Sequence, residues 1–185
     1  MALTFSNMLE LGTKLPEFQL TNTIDQSLFL SSWLNRKPGS LIMFICNHCP
    51  FVIHYHKKII ELNKRYQKQI SFIAISSNDI ITYPEDAPDE MQQLWQRLEL
   101  NFPYLYDSNQ AVAKAFKAAC TPEFYLFNKE NHLVYRGRMD DSTPTNQRPI
   151  TGHDLESAMN NLINRGDTPN EQHPSQGCNI KWLNN

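Results

Sequence analysis

The chain has 185 residues and 41% hydrophobic content, which is one globular domain of ordinary size, long enough to bury a core without disulfide staples or a structural metal. Its 17 basic and 19 acidic residues are interspersed and leave a formal charge of −2, so there is neither a basic stripe for nucleic acid nor a lysine cluster for anionic lipid. No stretch approaches the roughly 18 consecutive apolar residues of a bilayer span.

The opening MALTFSNMLELGTKLPEF lacks a basic start, an apolar block and a small-residue cleavage site, so the expected compartment is the reducing cytosol. Phe18 and Leu20, then Leu28 and Leu30, alternate with polar neighbours across an Asn-Thr-Ile-Asp turn, which predicts an N-terminal β-hairpin. LIMFI at 41–45 is a continuous apolar run suited to a central strand covered on both faces. From Pro50 to about Gln69 apolar residues fall at helical spacing, and SFIAISS at 71–77 is a second buried strand. The acid- and proline-rich segment Glu85 to Glu90 reads as a helix start before MQQLWQRLEL. A short strand at 103–106 precedes a helix over NQAVAKAFKAA, capped by Asp107 and Ser108. EFYLFN and HLVYRGR form an antiparallel hairpin, and a last helix from Asp154 ends at Gly166 before an extended polar tail. Strands alternating with helices predict an α/β fold with a largely parallel sheet and helices on both faces.

The stretch FICNHCPFV, 44–52, ends the first apolar run at two cysteines, Cys46 and Cys49. Three readings of it stand side by side: a redox pair, half of a metal site, or two core cysteines close together by accident. A strand-to-helix junction favours redox chemistry in a chain expected to be cytosolic. There a Cys46 thiolate faces the unpaired N–H groups of the helix start, which lowers its pKa and makes it the nucleophile. Cys49 is placed to close a short-loop disulfide, and His48 adds positive charge that makes that disulfide more oxidising. The metal reading would join His54 and His56 to the pair. Cys49 and His56, seven positions apart, share a helix face, whereas His54 points elsewhere. Structural zinc prefers two paired motifs, and the chain carries one.

Thr121-Pro122, followed by EFYLFN, supplies a second element, and with it the chain resembles the thioredoxin superfamily. The resemblance implies a cis-proline at Pro122 packed beside the pair. The Thr121 backbone is then left open to an extended substrate peptide, and a metal is barred from closing over both thiols. The opening Gly12-x-x-x-Pro16-x-Phe18-x-Leu20 is similar to the redoxins of the alkyl hydroperoxide reductase and thiol-specific antioxidant type. CNHCPFV, ACTPEFYLF, YRGRMDDS and GCNIKW look like one subgroup of that peroxiredoxin-like branch.

The resemblance implies a thioredoxin-like fold with a central mixed sheet flanked by helices, an N-terminal β-hairpin extension, a redoxin domain over 1–166 and a packed tail over 167–185. The implied activity is thiol–disulfide exchange: Cys46 attacks, Cys49 resolves, and Thr121 and Pro122 present the substrate edge. Neither an organic cofactor nor a metal is implied. The expected partners are a disulfide-bearing protein or a small-molecule thiol, with a thioredoxin or glutathione system as electron source. One alternative is a thiol-dependent peroxidase. Against it, Met43 stands where true peroxiredoxins carry the threonine of Pro-x-x-x-Thr-x-x-Cys, and the guanidinium is left to Arg136 or Arg138. The other alternative is a metal-binding module built from Cys46, Cys49 and either Cys120 or a histidine.

Cys120 lies two residues before Pro122 and is either a further redox group or ligand, or a small buried apolar residue. Cys178 lies in a tail ending with Ile180, Trp182 and Leu183, residues that imply docking on the body; it is a third thiol, a partner of Cys120, or a spectator. Asp140 and Asp141 read as an acidic cap or a loop hydrogen-bonding group.

Overall fold

The computed structural model describes residues 3–166, 168 and 171–183. In chain order the elements are β1 (Leu3–Phe5), β2 (Gln19–Asn22), β3 (Leu28–Leu30), β4 (Gly39–Phe44), α1 (Pro50–Tyr66), β5 (Ile70–Ser76) and α2 (Pro88–Arg97). They continue with β6 (Tyr104–Tyr106), α3 (Ala111–Ala115), β7 (Cys120–Thr121), β8 (Glu123–Asn128), β9 (Leu133–Gly137), α4 (His153–Arg165) and β10 (Gln176–Asn179).

The main sheet has the order β3-β2-β6-β5-β4-β8-β9. β4, β5 and β6 are parallel, while β2–β3 and β8–β9 are antiparallel hairpins at the two sides, as the turn signals predict. β4 is buried along its whole length. Its alternation divides the core: Leu41 and Met43 join α1, α2 and α4 on one face, while Ile42 and Phe44 join Phe116, Tyr125 and Phe127 on the other. Phe116 packs edge-on against Phe44, Tyr125 and Phe127, so its truncation to alanine costs about 3–5 kcal/mol. No described helix is long and apolar enough to cross a membrane.

α1 starts where Pro50 occupies the first helical position, with its missing N–H at no cost, and buries Val52, Tyr55, Ile59, Leu62 and Tyr66 on one stripe. It ends three residues short of the predicted Gln69, in a turn where Gln69 N–H bonds the Tyr66 carbonyl and leads directly into β5. α3 is shorter than its pattern. Gln110 and Lys117 take left-handed backbone at either side of it, and the Asp107 carboxylate accepts from the Val112 and Ala113 N–H groups. α4 stops at Gly166, whose φ of 76° suits a residue without a Cβ.

A second sheet, β1-β10-β7, was not expected from the sequence. Its strands hold two to four residues each, too few for a period to show. The tail does extend over the domain, with Cys178 and Ile180 buried. Positions 1, 167 and 185 of the expected boundaries lie outside the described residues.

Candidate active site

Cys46 lies just past β4, and Cys49 is the N-cap residue of α1, one position before the helix rather than within its first turn. The loop between them is held by one carboxylate, Asp86, which has no solvent exposure. Its Oδ1 accepts from the Asn47 N–H at 2.8 Å, and its Oδ2 accepts from Asn78 Nδ2 at 2.7 Å. His48 Nδ1 sits 2.7 Å from the same Oδ2, off the angle of a good hydrogen bond, and the ring stacks on Tyr83. Tyr104 closes the loop from beneath by donating to Asn47 Oδ1 at 3.1 Å.

The Thr121–Pro122 peptide is cis, and it brings Thr121 against both cysteines. The Thr121 hydroxyl is 3.5 Å from Cys46 Sγ, and its carbonyl oxygen is 3.2 Å from Cys49 Sγ. A small groove of about 160 Å³ continues past Pro122 and Phe124, between Met139 and Asp140 and the tail at His173–Gln176.

The third sulfur at the site is Cys178, whose Sγ lies 2.8 Å from Cys49 Sγ. The four cysteines carry no disulfide. Cys46, Cys49 and Cys178 are all buried, at 1%, 0% and 4% exposure.

Of the three sulfurs the middle one is the most favoured to ionise. Cys49 is held well below the ordinary thiol range by hydrogen bonds from Cys178 and Cys46, which, with the Thr121 side chain and the Val52 N–H at the helix start, outweigh burial. Cys46 is pushed up, first by its hydrogen bond to Cys49, then by burial and the Asp86 charge. Cys49, not Cys46, holds the N-cap position of α1, where its backbone carbonyl accepts from the Val52 N–H. His48 faces the Asp86 carboxylate.

Several further expectations change. Cys120 and Thr121 are neighbours on an extended strand and point to opposite sides, so Thr121 meets the pair and Cys120 does not. Cys120 instead lies 3.8 Å from Glu123 Oε2, and burial followed by the Glu123 charge pushes its thiol far up. Cys178 accompanies Cys49 rather than Cys120. The Thr121 backbone is not open: β10 pairs with it in antiparallel register, Cys178 opposite Thr121.

His54 bonds Ser142 Oγ at 2.9 Å, and His56 lines an apolar cavity with Ile45, Ile59 and Leu94; neither faces the thiols. Arg136 is engaged with the Leu9 carbonyl and Gln172, and Arg138 with Asp154. Among the described residues the set able to share a cation is Cys46, His48 and Asp86, with ligand atoms within 4.8 Å of one another, not the set read from the sequence. Asp86 fits that role poorly, because its oxygens already accept from the loop. Of the two readings offered for it, Asp140 is the loop hydrogen-bonding group, since α4 has no side-chain cap. It is buried and accepts from the Thr151 and Gly152 N–H groups ahead of α4, while Asp141 pairs with Arg148 outside. Asp86, hidden in an acidic run, and the Cys49–Cys178 contact, 129 positions apart, carry no local signal in the sequence.

The redoxin family model matches residues 10–155. An uncharacterized conserved protein of Geobacillus kaustophilus is 45% identical over 100% of this chain and 98% of its own, with a TM-score of 0.97. A hypothetical protein of Sinorhizobium meliloti 1021 is 37% identical over 98% of this chain and 100% of its own, with a TM-score of 0.95. A secreted Mycobacterium tuberculosis disulfide oxidoreductase shares the fold at 14% identity, covering 79% of this chain and 94% of its own, with a TM-score of 0.58. No curated protein matches. The thioredoxin-like architecture, the paired cysteines and the cis-proline beside them agree with the family match, and the chain belongs to the redoxin family.

Proposed function

We propose that this redoxin is a cytosolic thiol–disulfide oxidoreductase that exchanges disulfides through Cys46 and Cys49. The observation that carries the reading is the shared contact with Thr121, whose hydroxyl meets Cys46 and whose carbonyl meets Cys49 beside cis-Pro122. Once the Cys49 thiolate takes the proton of Cys46, the Cys46 thiolate attacks a substrate disulfide, forming a mixed disulfide and expelling a substrate thiolate. Cys49 gives up the proton and attacks Cys46 Sγ, which closes the Cys46–Cys49 disulfide and frees the second substrate thiol. A glutathione or thioredoxin system returns the two electrons, and the same steps reversed oxidise a dithiol.

The test is alkylation and mass spectrometry across glutathione redox buffers. One reversible disulfide between Cys46 and Cys49 with a defined midpoint is expected in Cys178→Ser, which leaves only the pair at the site, and Cys49→Ser should accumulate mixed disulfides at Cys46. Thiols that stay alkylatable at every poise would refute the reading. Metal binding is a second reading, resting on the convergence of Cys46 and His48 with Asp86, and it is the weaker one because the Asp86 oxygens already accept from Asn47 and Asn78. It requires a stoichiometric ion retained through purification and released when the thiols are oxidised. Peroxide reduction by the same thiols, the antioxidant reading, is measured as the rate at which hydrogen peroxide oxidises Cys46 relative to an ordinary thiol.

A further inference from the structure

β10 lies where an extended peptide would have to lie to reach the redox pair. It pairs antiparallel with β7, Cys178 opposite Thr121 and Asn179 opposite Cys120. Its approach is unusually close: a Cβ on Gly177 would fall 2.0 Å from the Thr121 carbonyl oxygen and 3.3 Å from the Pro122 nitrogen, so only glycine admits the strand. The next residue then sets its sulfur 2.8 Å from Cys49 Sγ. That is longer than the roughly 2.05 Å of a disulfide bond but well inside the ordinary contact of two sulfurs. The strand is also anchored beyond the thiol. Ile180 N–H bonds the Ala119 carbonyl, Lys181 bonds Asn78 and Asp79 through its backbone, and Leu183 N–H bonds Gln110 Oε1. These contacts make the tail a docked segment that brings a thiol to the edge next to the cis-proline.

We propose that β10 is a built-in substrate and Cys178 a third redox residue, so that a disulfide formed between Cys46 and Cys49 passes to Cys49 and Cys178. The step rests on the Cys46–Cys49 exchange proposed above and needs no added oxidant. Cys178 sulfur attacks Cys49 Sγ, the Cys49–Cys178 bond forms, the Cys46–Cys49 bond breaks, and Cys46 leaves as a thiolate. The proton lost by Cys178 ends on Cys46, and the molecule remains oxidised by the same two electrons. Cys46 is then available for another partner, while the tail is tied covalently over Thr121.

The experiment compares wild-type protein with Cys178→Ser, each oxidised in glutathione buffer, acid-quenched, alkylated and mapped by mass spectrometry. In oxidised wild type, a Cys49–Cys178 linkage and roughly tenfold more labelling of Cys46 than in oxidised Cys178→Ser are expected, as the leaving sulfur is set free. If wild type and variant both hold only Cys46–Cys49, with Cys46 equally protected, the relay is wrong and the exchange reading stands. If the variant folds yet never closes Cys46–Cys49, the exchange reading fails, and the relay, which begins from that disulfide, fails with it. A time course on wild type alone covers the case in which the variant does not fold. Cys46–Cys49 must then appear before Cys49–Cys178, and the reverse order or a missing second linkage overturns the proposal.

Discussion

His48 Nδ1 stands 2.7 Å from Asp86 Oδ2, so the one histidine between the two cysteines is matched to a buried carboxylate before it can act on either sulfur. That carboxylate also gathers the Asn47 N–H and the Asn78 amide, which makes Asp86 the post on which the loop hangs.

Asp86→Ala should therefore destabilise the protein by about 2–4 kcal/mol, because it strands several buried donors at once. Urea denaturation measures this. Asp86→Asn keeps an acceptor and removes the charge that helps push Cys46 up. With that negative charge gone the Cys46 thiolate is favoured, so the pH profile of Cys46 alkylation in reduced protein should move to lower pH. A shift to higher pH would remove the electrostatic part of the account.

Cys120→Ala should leave the midpoint and the exchange rate of the pair unchanged. The Cys120 sulfur faces Glu123, on the opposite side of the strand from Thr121. The cost should be confined to packing, about 1–2 kcal/mol for one small buried group. A changed midpoint would show that Cys120 reaches the pair after all.

Burial by itself would raise the Asp140 carboxyl, but bonds from Ser142, Gly152 and Tyr55 outweigh it and hold the group below its ordinary value. A carboxyl depressed in the folded state contributes stability that is complete above its unfolded pKa, about 3.9, and is lost as pH falls through the folded value. Asp140→Ala should lower stability at neutral pH by about 2–4 kcal/mol. It should also flatten the acid limb of the stability curve below about pH 4. Thermal melts from pH 7 to pH 3 on both proteins read the two effects.

His56 has its pKa lowered first by burial and then by the Arg97 charge, and its Nε2 is buried without a partner. The folded state resists protonating it, so stability present above about pH 6.5 declines as pH falls through that value. His56→Leu should remove part of this decline, since leucine suits the apolar walls of Ile59, Leu94 and Phe102. An unchanged pH dependence between 7 and 5 would assign the effect to other groups, with His54, also lowered by burial, next in line.

The strand-to-helix junction at Cys46 and Cys49 was legible because LIMFI is apolar at every position and Pro50 can only begin a helix there. Both are local facts. The cis peptide at Pro122 followed only from family resemblance, since the dipeptide by itself prefers trans. Asp86 was invisible because an acid between prolines reads as a helix start whether or not a loop folds onto it. Cys178 was visible as a thiol and as part of a docked tail, but its partner was not. A two-residue strand such as β7 leaves no period, and register across 129 positions depends on tertiary packing.

β1 pairs with the outer edge of β10 through Leu3, Thr4 and Phe5, and Ser6 bonds Ser175 from the same side. The first described residues and the tail thus form a single latch, fastened to the protein at β7 and closed over three sulfurs. Deleting residues 3–6 should loosen the hold on Cys178 without removing any thiol. The hold on Cys178 is in that sense shared with residues 3–6, which lie at the far end of the chain from it.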